Sequence, residues 1–297
     1  MAINLFELMK IFTTLAECGS FTQTAERLYL HRPAVTKGIQ QLEDYLNVRL
    51  LQRTTRQIHL TPEGEAFYQR CVQLLSEVDD ALQHFSPNQP LTGVLRVDMP
   101  TSLAKHLIIP HLSEFYQQHP QLKIALSSTD SSIDLVKNGE DCTLRLGELA
   151  SSDYVARKLG ELKMVSCASP SYLVNFGTPQ NLTDLSQHQA VAFSLSNRRL
   201  IAWQFSTPQG NVSVNLPSWQ LTTTRAEDYI AAAEQGLGII QAFELFVKEQ
   251  LASGRLVSLL PDYPVPAKPI SLLYPSRTHL PPKVKIFGDW VQTLLQK

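Results

Sequence analysis

Apolar residues near the start of the chain recur at the spacing of an amphipathic helix. They are Leu5, Leu8, Met9, Phe12, Leu15 and Ala16. Gly19 follows this run and is typical of the left-handed residue that ends a helix. Ser20 and Gln23 then form the pattern of a capping box, which marks the start of another helix. The sequence therefore predicts two helices, and the second is short and extends through Leu28.

A third helix is predicted after a turn at residues 29–31. Pro33 suits the first turn of a helix, where its missing N–H would have no partner in any case, and Asn47 is typical of a left-handed stop. The buried stripe of this helix consists of Val35, Ile39, Leu42 and Leu46. Two helices joined in this way form a helix-turn-helix. The alternating segment LLQRTTRQIHL that follows predicts a two-stranded wing, with Thr54 near its tip.

A longer helix is predicted to start at Thr61, Pro62 and Glu63, because a cap, a proline and an acid suit a first turn. Its apolar residues alternate between spacings of four and three, which is a heptad pattern. They are Phe67, Cys71, Leu74, Val78, Ala81 and Phe85. The pattern favours pairing with a second chain, and the breaker-rich residues 86–90 end the helix. The alternative is that this stripe packs on the C-terminal part of its own chain.

From Gly93 onward, predicted strands alternate with predicted helices. The strands are VLRVDM, LKIALSS, CTLRLG, LKMVSCA, VAF, GIIQAF and ISLLY, and the helices cover residues 103–118, 131–138, 226–235, 243–252 and 283–296. Such alternation predicts a mostly parallel sheet covered by helices. About 205 residues exceed what one compact sheet usually needs, so we expect two α/β lobes.

Charge is distributed unevenly along a chain whose formal net charge is only −1. Residues 24–60 carry six basic and three acidic side chains, a local balance of +3, and the basic ones are Arg27, Arg32, Lys37, Arg49, Arg53 and Arg56. This segment is suited to contact phosphate groups, whereas the rest of the chain has no such tendency.

Several classes of protein are disfavoured by what the sequence lacks. No apolar run approaches the roughly 18 residues of a membrane span, and no pattern of a zinc protease, a serine hydrolase or a phosphate-binding loop is present. The four cysteines show no metal-ligand spacing. We therefore expect a cytoplasmic protein that is not an enzyme and has no metal or cofactor, with buried thiols. A redox-sensing pair, Cys142 and Cys167, remains the alternative.

The residues of the first 65 positions resemble the winged helix-turn-helix of LysR-type transcriptional regulators. The matching segments are LAE at 15–17, GSF at 19–21, AERL at 25–28, PAV at 33–35, VRL at 48–50 and RTTR at 53–56. The segments GVLRV, DCTLRLGEL, SPSYL, GLGI and LASGRLV resemble the effector domains of the same family. His31 and Arg32 depart from the usual pattern of that family, which has a serine cap before the recognition helix. The missing cap weakens the helix start by up to about 1 kcal/mol.

The resemblance implies a DNA-binding domain at residues 1–60, a linker and dimerisation helix at 61–90, and an effector-binding domain at 91–297. The effector domain would be α/β, with two Rossmann-like lobes as in periplasmic binding proteins. Lobe I would comprise residues 91–162 and 267–297, and lobe II residues 163–266. A homodimer would read a pseudo-palindromic operator in double-stranded DNA, and the family often assembles further into tetramers.

The start of the third helix is expected to enter the major groove. Arg32 is suited to the O6/N7 edge of a guanine, and Pro33 or the Thr36 methyl group to a thymine methyl. Contacts with phosphate are expected from Lys37, Arg53 and Arg56, with Thr54 beside them at the wing.

A small-molecule effector is expected between the lobes, where strand ends meet helix starts. The candidate residues are Thr101, Ser102, Thr129, Arg145, Phe193 and Thr223. Hydroxyls beside an arginine favour a small organic acid. Two alternatives stay open, because Thr101 and Ser102 could simply cap a helix and Arg145 could form a structural salt bridge. Trp203 is expected in the core rather than in a pocket.

Overall fold

The computed structural model describes residues 4–53, 58–84, 90–130, 134–149, 152–195, 199–216, 218–275 and 280–296. Within these ranges the chain forms two compact units. The first consists mainly of residues up to Gly93, and the second contains most of the remaining chain.

The first unit is a winged helix-turn-helix followed by a long helix. Its elements are α1 (Leu5–Cys18), α2 (Phe21–Arg27), α3 (Arg32–Leu46), β1 (Leu51–Arg53), β2 (Ile58–Leu60) and α4 (Pro62–His84). The strands β1 and β2 pair antiparallel, as the predicted wing requires. The core between the helices contains Leu8, Ile11, Phe12, Leu15, Ala25, Val35, Ile39, Leu42, Leu50, Leu51 and Cys71.

Local signals in the sequence set the ends of these helices. Gly19 ends α1 with φ of 61°, and Asn47 ends α3 with φ of 52°, so both take the predicted left-handed conformation. The Ser20 hydroxyl accepts a hydrogen bond of 3.4 Å from the backbone N–H of Gln23 at the start of α2. These helix boundaries are therefore confirmed.

The second unit has α/β structure and contains the two predicted lobes. The elements of its first half are β3 (Gly93–Met99), α5 (Thr101–Leu103), α6 (Leu112–Gln118), β4 (Leu122–Ser128), α7 (Leu135–Asn138), β5 (Cys142–Leu146), β6 (Tyr154–Leu162), β7 (Met164–Ala168) and α8 (Pro170–Phe176). The second half contains β8 (Gln189–Phe193), β9 (Trp203–Thr207), β10 (Gly210–Val214), β11 (Ser218–Thr223), α9 (Ala226–Glu234), β12 (Ile240–Phe243), α10 (Glu244–Ala252), β13 (Val257–Ser258), β14 (Lys268–Pro275) and α11 (Pro282–Leu294).

The sheets of this unit differ from the prediction in their strand directions. Lobe I has a five-stranded sheet with the order β4-β3-β5-β14-β6, and lobe II has the smaller sheets β12-β7-β13, β11-β8 and β10-β9. The pairs β3–β5 and β8–β11 are parallel, but β14 runs antiparallel to β5 and β6, and β7 runs antiparallel to β12 and β13. The predicted mostly parallel sheet is therefore wrong. The physical reason for the antiparallel direction of β14 is that the chain leaves lobe I after β6 and returns to it through β14.

The predicted helix at 103–118 is also modified. Helix α5 continues as a wider turn at Ala104–Ile108 and a tighter turn at Ile109–His111 before α6 begins. Pro110 lies in this segment, and its missing N–H and fixed ring prevent an uninterrupted α-helix. The chain direction nevertheless continues from β3 into α6, so Thr101 and Ser102 remain at a strand-to-helix junction.

Aromatic and aliphatic side chains fill the interior of the lobes. In lobe I the ring of Phe115 lies 4.9 Å from that of Trp290 and 6.3 Å from that of Phe287. In lobe II Trp203 and Phe205 are 2% and 0% exposed, which confirms the expected core position of Trp203. Across the described part of the chain, no helix combines the length and hydrophobicity needed to cross a membrane.

Candidate DNA interface and effector site

The first turns of α3 separate buried apolar residues from an exposed polar face. Val35 and Ile39 are 0% exposed and belong to the core, whereas Arg32, Pro33 and Lys37 are exposed. None of the ion pairs between described residues involves Arg32 or Lys37. The core therefore fixes the helix while its exposed face remains available for another molecule.

The N-terminus of α3 carries few internal caps. The side chain of His31 makes no capping hydrogen bond to the helix, and Pro33 has no N–H to donate. The Thr36 hydroxyl donates to the backbone oxygen of Arg32 at 3.2 Å, so its methyl group remains the part suited to an apolar contact. The positive end of the helix dipole and the Arg32 side chain thus lie at the same place, which suits a polyanion.

A buried carboxylate that the sequence reasoning missed holds the wing against α3. Glu43 is only 4% exposed. Its Oε1 accepts from the backbone N–H groups of Leu50 and Leu51 at 2.8 and 3.2 Å, and its Oε2 pairs with Arg49 at 2.9 Å. The only signal in the sequence was an acidic residue within the apolar stripe of a helix. This network fixes the distance between the recognition helix and the wing.

The residue that precedes α4, Thr61, also holds the segment between α3 and the wing. The Thr61 hydroxyl donates to the backbone oxygen of Arg49 at 2.7 Å and accepts from the N–H of Gly64 at 2.9 Å. A Cβ atom on Gly64 would lie 2.0 Å from the backbone oxygen of Leu50. Glycine is therefore required by the close approach of two backbones.

Gly64→Ala should destabilise the first unit by about 3 kcal/mol, because overpacking against main-chain atoms cannot be relieved by a rotamer change. Hydrogen exchange of the backbone amides in α1 to α4 would measure the loss. Gln69→Ala, at an exposed position of the same helix, should stay within about 0.5 kcal/mol. Equal protection in the two variants would contradict the proposed close contact.

In lobe I, two of the predicted residues, Thr129 and Arg145, meet at the buried carboxylate of Asp98, which was not predicted. Asp98 is 0% exposed. Its Oδ2 pairs with Nη2 of Arg145 at 2.6 Å and accepts from the Thr143 hydroxyl at 3.2 Å, and its Oδ1 accepts from the Thr129 hydroxyl at 2.9 Å. Arg145 also donates to the backbone oxygen of Thr129 at 3.1 Å. The structure thus shows the salt-bridge alternative for Arg145, and it brings Thr129 into the same network.

The start of α5 is occupied by two carboxylates. Ser102 is 1% exposed, and its hydroxyl donates to Oε1 of Glu227 in the first turn of α9 at 2.7 Å. Burial raises the pKa of Asp130, the nearby Glu227 carboxylate raises it further, and a hydrogen bond from the Thr101 backbone N–H lowers it. The donors that were expected to bind an anion therefore already have carboxylate partners within the protein.

The predicted residues of lobe II lie near the ends of its parallel strand pair. Phe193 and Thr223 are the final residues of β8 and β11, are direct partners in the register, and are both half-buried. The Phe193 ring packs edge-on against Tyr229 at 5.2 Å, and the Thr223 hydroxyl makes a long contact of 3.5 Å to the backbone oxygen of Arg225. The strand ends thus bring these two side chains to the side of lobe II that carries α9.

Comparisons with known proteins agree with this architecture. The family described as "Bacterial regulatory helix-turn-helix protein, lysR family" matches residues 6–65, and "LysR substrate binding domain" matches residues 88–296. The chain is 38% identical over 305 residues to the uncharacterized HTH-type transcriptional regulator YhjC of Escherichia coli K12, with 97% of each protein covered. It is 34% identical over 290 residues to an HTH-type transcriptional repressor of Pseudomonas aeruginosa, covering 96% of this chain and 90% of that protein.

A solved structure extends the match to three dimensions. CrgA, a LysR-type transcriptional regulator from Neisseria meningitidis, superposes with a TM-score of 0.61 at 30% identity, covering 98% of this chain and 99% of that chain. The chain belongs to the LysR-type transcriptional regulators. Its relatives in these comparisons are regulators rather than enzymes, and the fold is the family's DNA-binding domain joined to a two-lobed effector domain.

The heptad stripe of this LysR-type regulator is divided into two parts. Cys71 is 0% exposed, and Phe67 packs on the same core with its ring 5.6 Å from that of Phe12. The assignment of Cys71 to a dimer contact is therefore wrong, because its own unit covers it completely.

The later part of the stripe is exposed. Leu74, Val78 and Leu82 are 46%, 39% and 64% exposed, and Leu82 was not part of the predicted stripe. Burial at Ala81 and at Phe85 lies outside what the structure describes.

The thiols of the regulator do not favour the redox alternative. Cys142 and Cys167 are in no disulfide and are 0% exposed, and burial raises the pKa of Cys167 to about 12. Such a thiol is protonated at neutral pH, whereas the thiolate is the reactive species. Within the described ranges, no group of His, Cys, Asp and Glu is arranged to hold a metal ion.

The wing tip of the regulator is not covered by the structure. Thr54 and Arg56 lie outside the described residues, and only the backbone of Arg53, paired with Ile58 at the end of β1, is described. Among the described residues, the candidate interface is therefore represented by the exposed face of α3 and by the backbone of Arg53.

Proposed function

We propose that this regulator binds a pseudo-palindromic operator as a homodimer, with α3 of each subunit in the major groove. The observation that carries the proposal is the exposed face of Arg32, Pro33 and Lys37 on a helix whose opposite face is locked into the core. Thr36 adds its methyl group to this face. Major-groove base edges match such side chains, and a guanine presents two acceptors to an arginine.

The roles of the cations differ in this proposal. Arg32, at the start of α3, reads a base, whereas Lys37 lies five residues further along and contacts phosphate together with Arg53, Thr54 and Arg56 of the wing. Phosphate contacts set position and affinity, and base contacts set sequence preference. Residues 1–60 then act as the reading domain, 61–90 as the pairing helix and 91–297 as the effector domain. Pairs of these dimers then assemble into tetramers.

Arg32→Ala should lose about 1–3 kcal/mol of discrimination at one base pair of each half-site. Lys37→Ala is the matched variant, because it removes an equal charge from the same helix. It should weaken binding to all sequences alike and lower the slope of log affinity against log salt by about one. Affinities for a set of single-base operator variants would separate the two roles. Unchanged base preference in Arg32→Ala would exclude this residue from base reading.

We further propose that a small-molecule effector binds between lobe I and lobe II and alters operator binding. The proposal is supported by polar groups at the ends of β3 and β11, namely Thr101, Ser102 and Thr223. Phe193 would supply an apolar wall, and Thr129 and Arg145 would act through the Asp98 network. A ligand shifts the protein only if it binds one lobe arrangement more tightly than another. A small organic acid is the effector class that suits the hydroxyl and N–H donors.

A thermal-shift screen of metabolites on the full-length regulator would test the effector proposal, followed by operator titration with each stabilising compound. A compound that raises the melting temperature and changes operator affinity supports it. Stabilisation that persists unchanged in a Phe193→Ala variant would place the ligand elsewhere.

A further inference from the structure

The hydrogen bond between Ser102 and Glu227 links residues 125 positions apart in the chain. Ser102 follows the first strand of lobe I, and Glu227 lies in the first turn of α9 in lobe II. The bond thus joins the two lobes at the position proposed for the effector. Its length of 2.7 Å is that of a well-formed O–H···O hydrogen bond.

The environment of Glu227 leaves its carboxylate only partly satisfied. Oε1 accepts from Ser102, but Oε2 is buried and has no hydrogen-bond partner among the described residues. Asp130 is close enough to interact with it electrostatically, and like charges repel. A buried acceptor without a partner carries a desolvation penalty. The contact is therefore replaceable, because an incoming group displaces a carboxylate whose hydrogen bonding is incomplete.

We propose that Glu227 is a built-in competitor of carboxylate ligands, which occupies the anion position beside Ser102 until an effector replaces it. This inference rests on the proposed effector function and deepens it. Replacement transfers the Ser102 hydrogen bond from Glu227 to the ligand. It thereby removes one link between the lobes, so binding and lobe movement are coupled through a single hydroxyl.

The position also determines which ligands are accepted. A carboxylate binds beside Ser102 only after Glu227 leaves, so simple acids are disfavoured in the wild-type protein. An acid with further contacts, for example to Phe193 and Thr223, can overcome this competition. Glu227 in this way sets a minimum affinity that an acid needs in order to displace it, and small, abundant acids do not reach that affinity.

Glu227→Ala should bind acetate about tenfold more tightly than the wild type, which corresponds to one hydrogen bond to a charged group. The measurement is the melting temperature of the full-length protein in increasing sodium acetate at constant ionic strength. Asp228→Ala is the matched control, since it removes an exposed carboxylate from the adjacent position of α9. It should behave like the wild type. Ser102→Ala combined with Glu227→Ala should lose the gain.

Methylammonium chloride serves as the opposite probe. If the wild type binds methylammonium and Glu227→Ala loses that binding, Glu227 is a ligand for cations and the proposal is overturned. An equal gain of acetate binding in Asp228→Ala would also overturn it, because the effect would then be general charge. Neither of these two results involves operator binding. They are therefore distinct from a failure of the proposed regulator function, in which the wild-type protein would not bind operator DNA.

Discussion

Leu74→Glu should convert the regulator into a monomer that binds operator DNA about 10²–10⁴-fold more weakly, because it loses the avidity of two linked reading units. Leu74, Val78 and Leu82 lie one helical turn apart on α4 and are exposed in the single chain. A second chain would cover them, and a glutamate in such an apolar interface would be buried without a partner. Sedimentation velocity and operator titration would measure the two losses together.

Gln69→Glu introduces the same charge at an exposed polar position of α4 and should remain dimeric with unchanged affinity. The intrinsic stability of the effector domain should be equal in the two variants, as measured by urea denaturation. A Leu74→Glu protein that remains a dimer with full operator affinity would show that α4 does not form the subunit interface.

Asp98→Ala should lower the free energy of unfolding of the effector domain by about 3–5 kcal/mol, because it leaves a largely buried arginine without its counter-ion. The Arg145 side chain is 14% exposed, and its partner carboxylate is fully buried. All three tryptophans of the chain, Trp203, Trp219 and Trp290, lie in this domain. Urea denaturation followed by tryptophan fluorescence therefore reports on the correct unit.

Two further variants identify the cause of this loss. Glu161→Ala removes the carboxylate of an exposed pair with Lys158 and should change stability by less than about 0.5 kcal/mol. Combining Asp98→Ala with Arg145→Met should be less damaging than the sum of the single changes by about 1–3 kcal/mol. Strict additivity would contradict the ion-pair explanation for the stability of lobe I.

The helices of the DNA-binding unit were predictable because their signals are local. Gly19, Ser20 and Asn47 act within a few residues of the helix ends that they determine, and the apolar stripe of α3 shows its buried face directly. The exposed position of Arg32 followed from that stripe. Local propensity and packing favour the same structure in this unit, and such agreement allows the structure to be predicted from the sequence.

The polar networks were not predictable, because their partners are distant in sequence. Asp98 meets Thr129, Thr143 and Arg145 at separations of 31 to 47 residues. The Glu227 contact with Ser102 spans 125 residues. No period or motif in a single sequence specifies such pairs. The direction of β14 has the same origin, since it depends on the return of the chain from lobe II to lobe I.

Selection of operator sites from a pool of random double-stranded DNA by the purified full-length regulator tests the central claim most directly. The account predicts that the enriched sequences contain two inverted half-sites whose centres lie about one helical turn, roughly 10 base pairs, apart. It also predicts that Arg32→Ala relaxes one position in each half-site while the spacing is unchanged. Enrichment of a single half-site, or no enrichment over the starting pool, would contradict a dimeric regulator that reads DNA through α3.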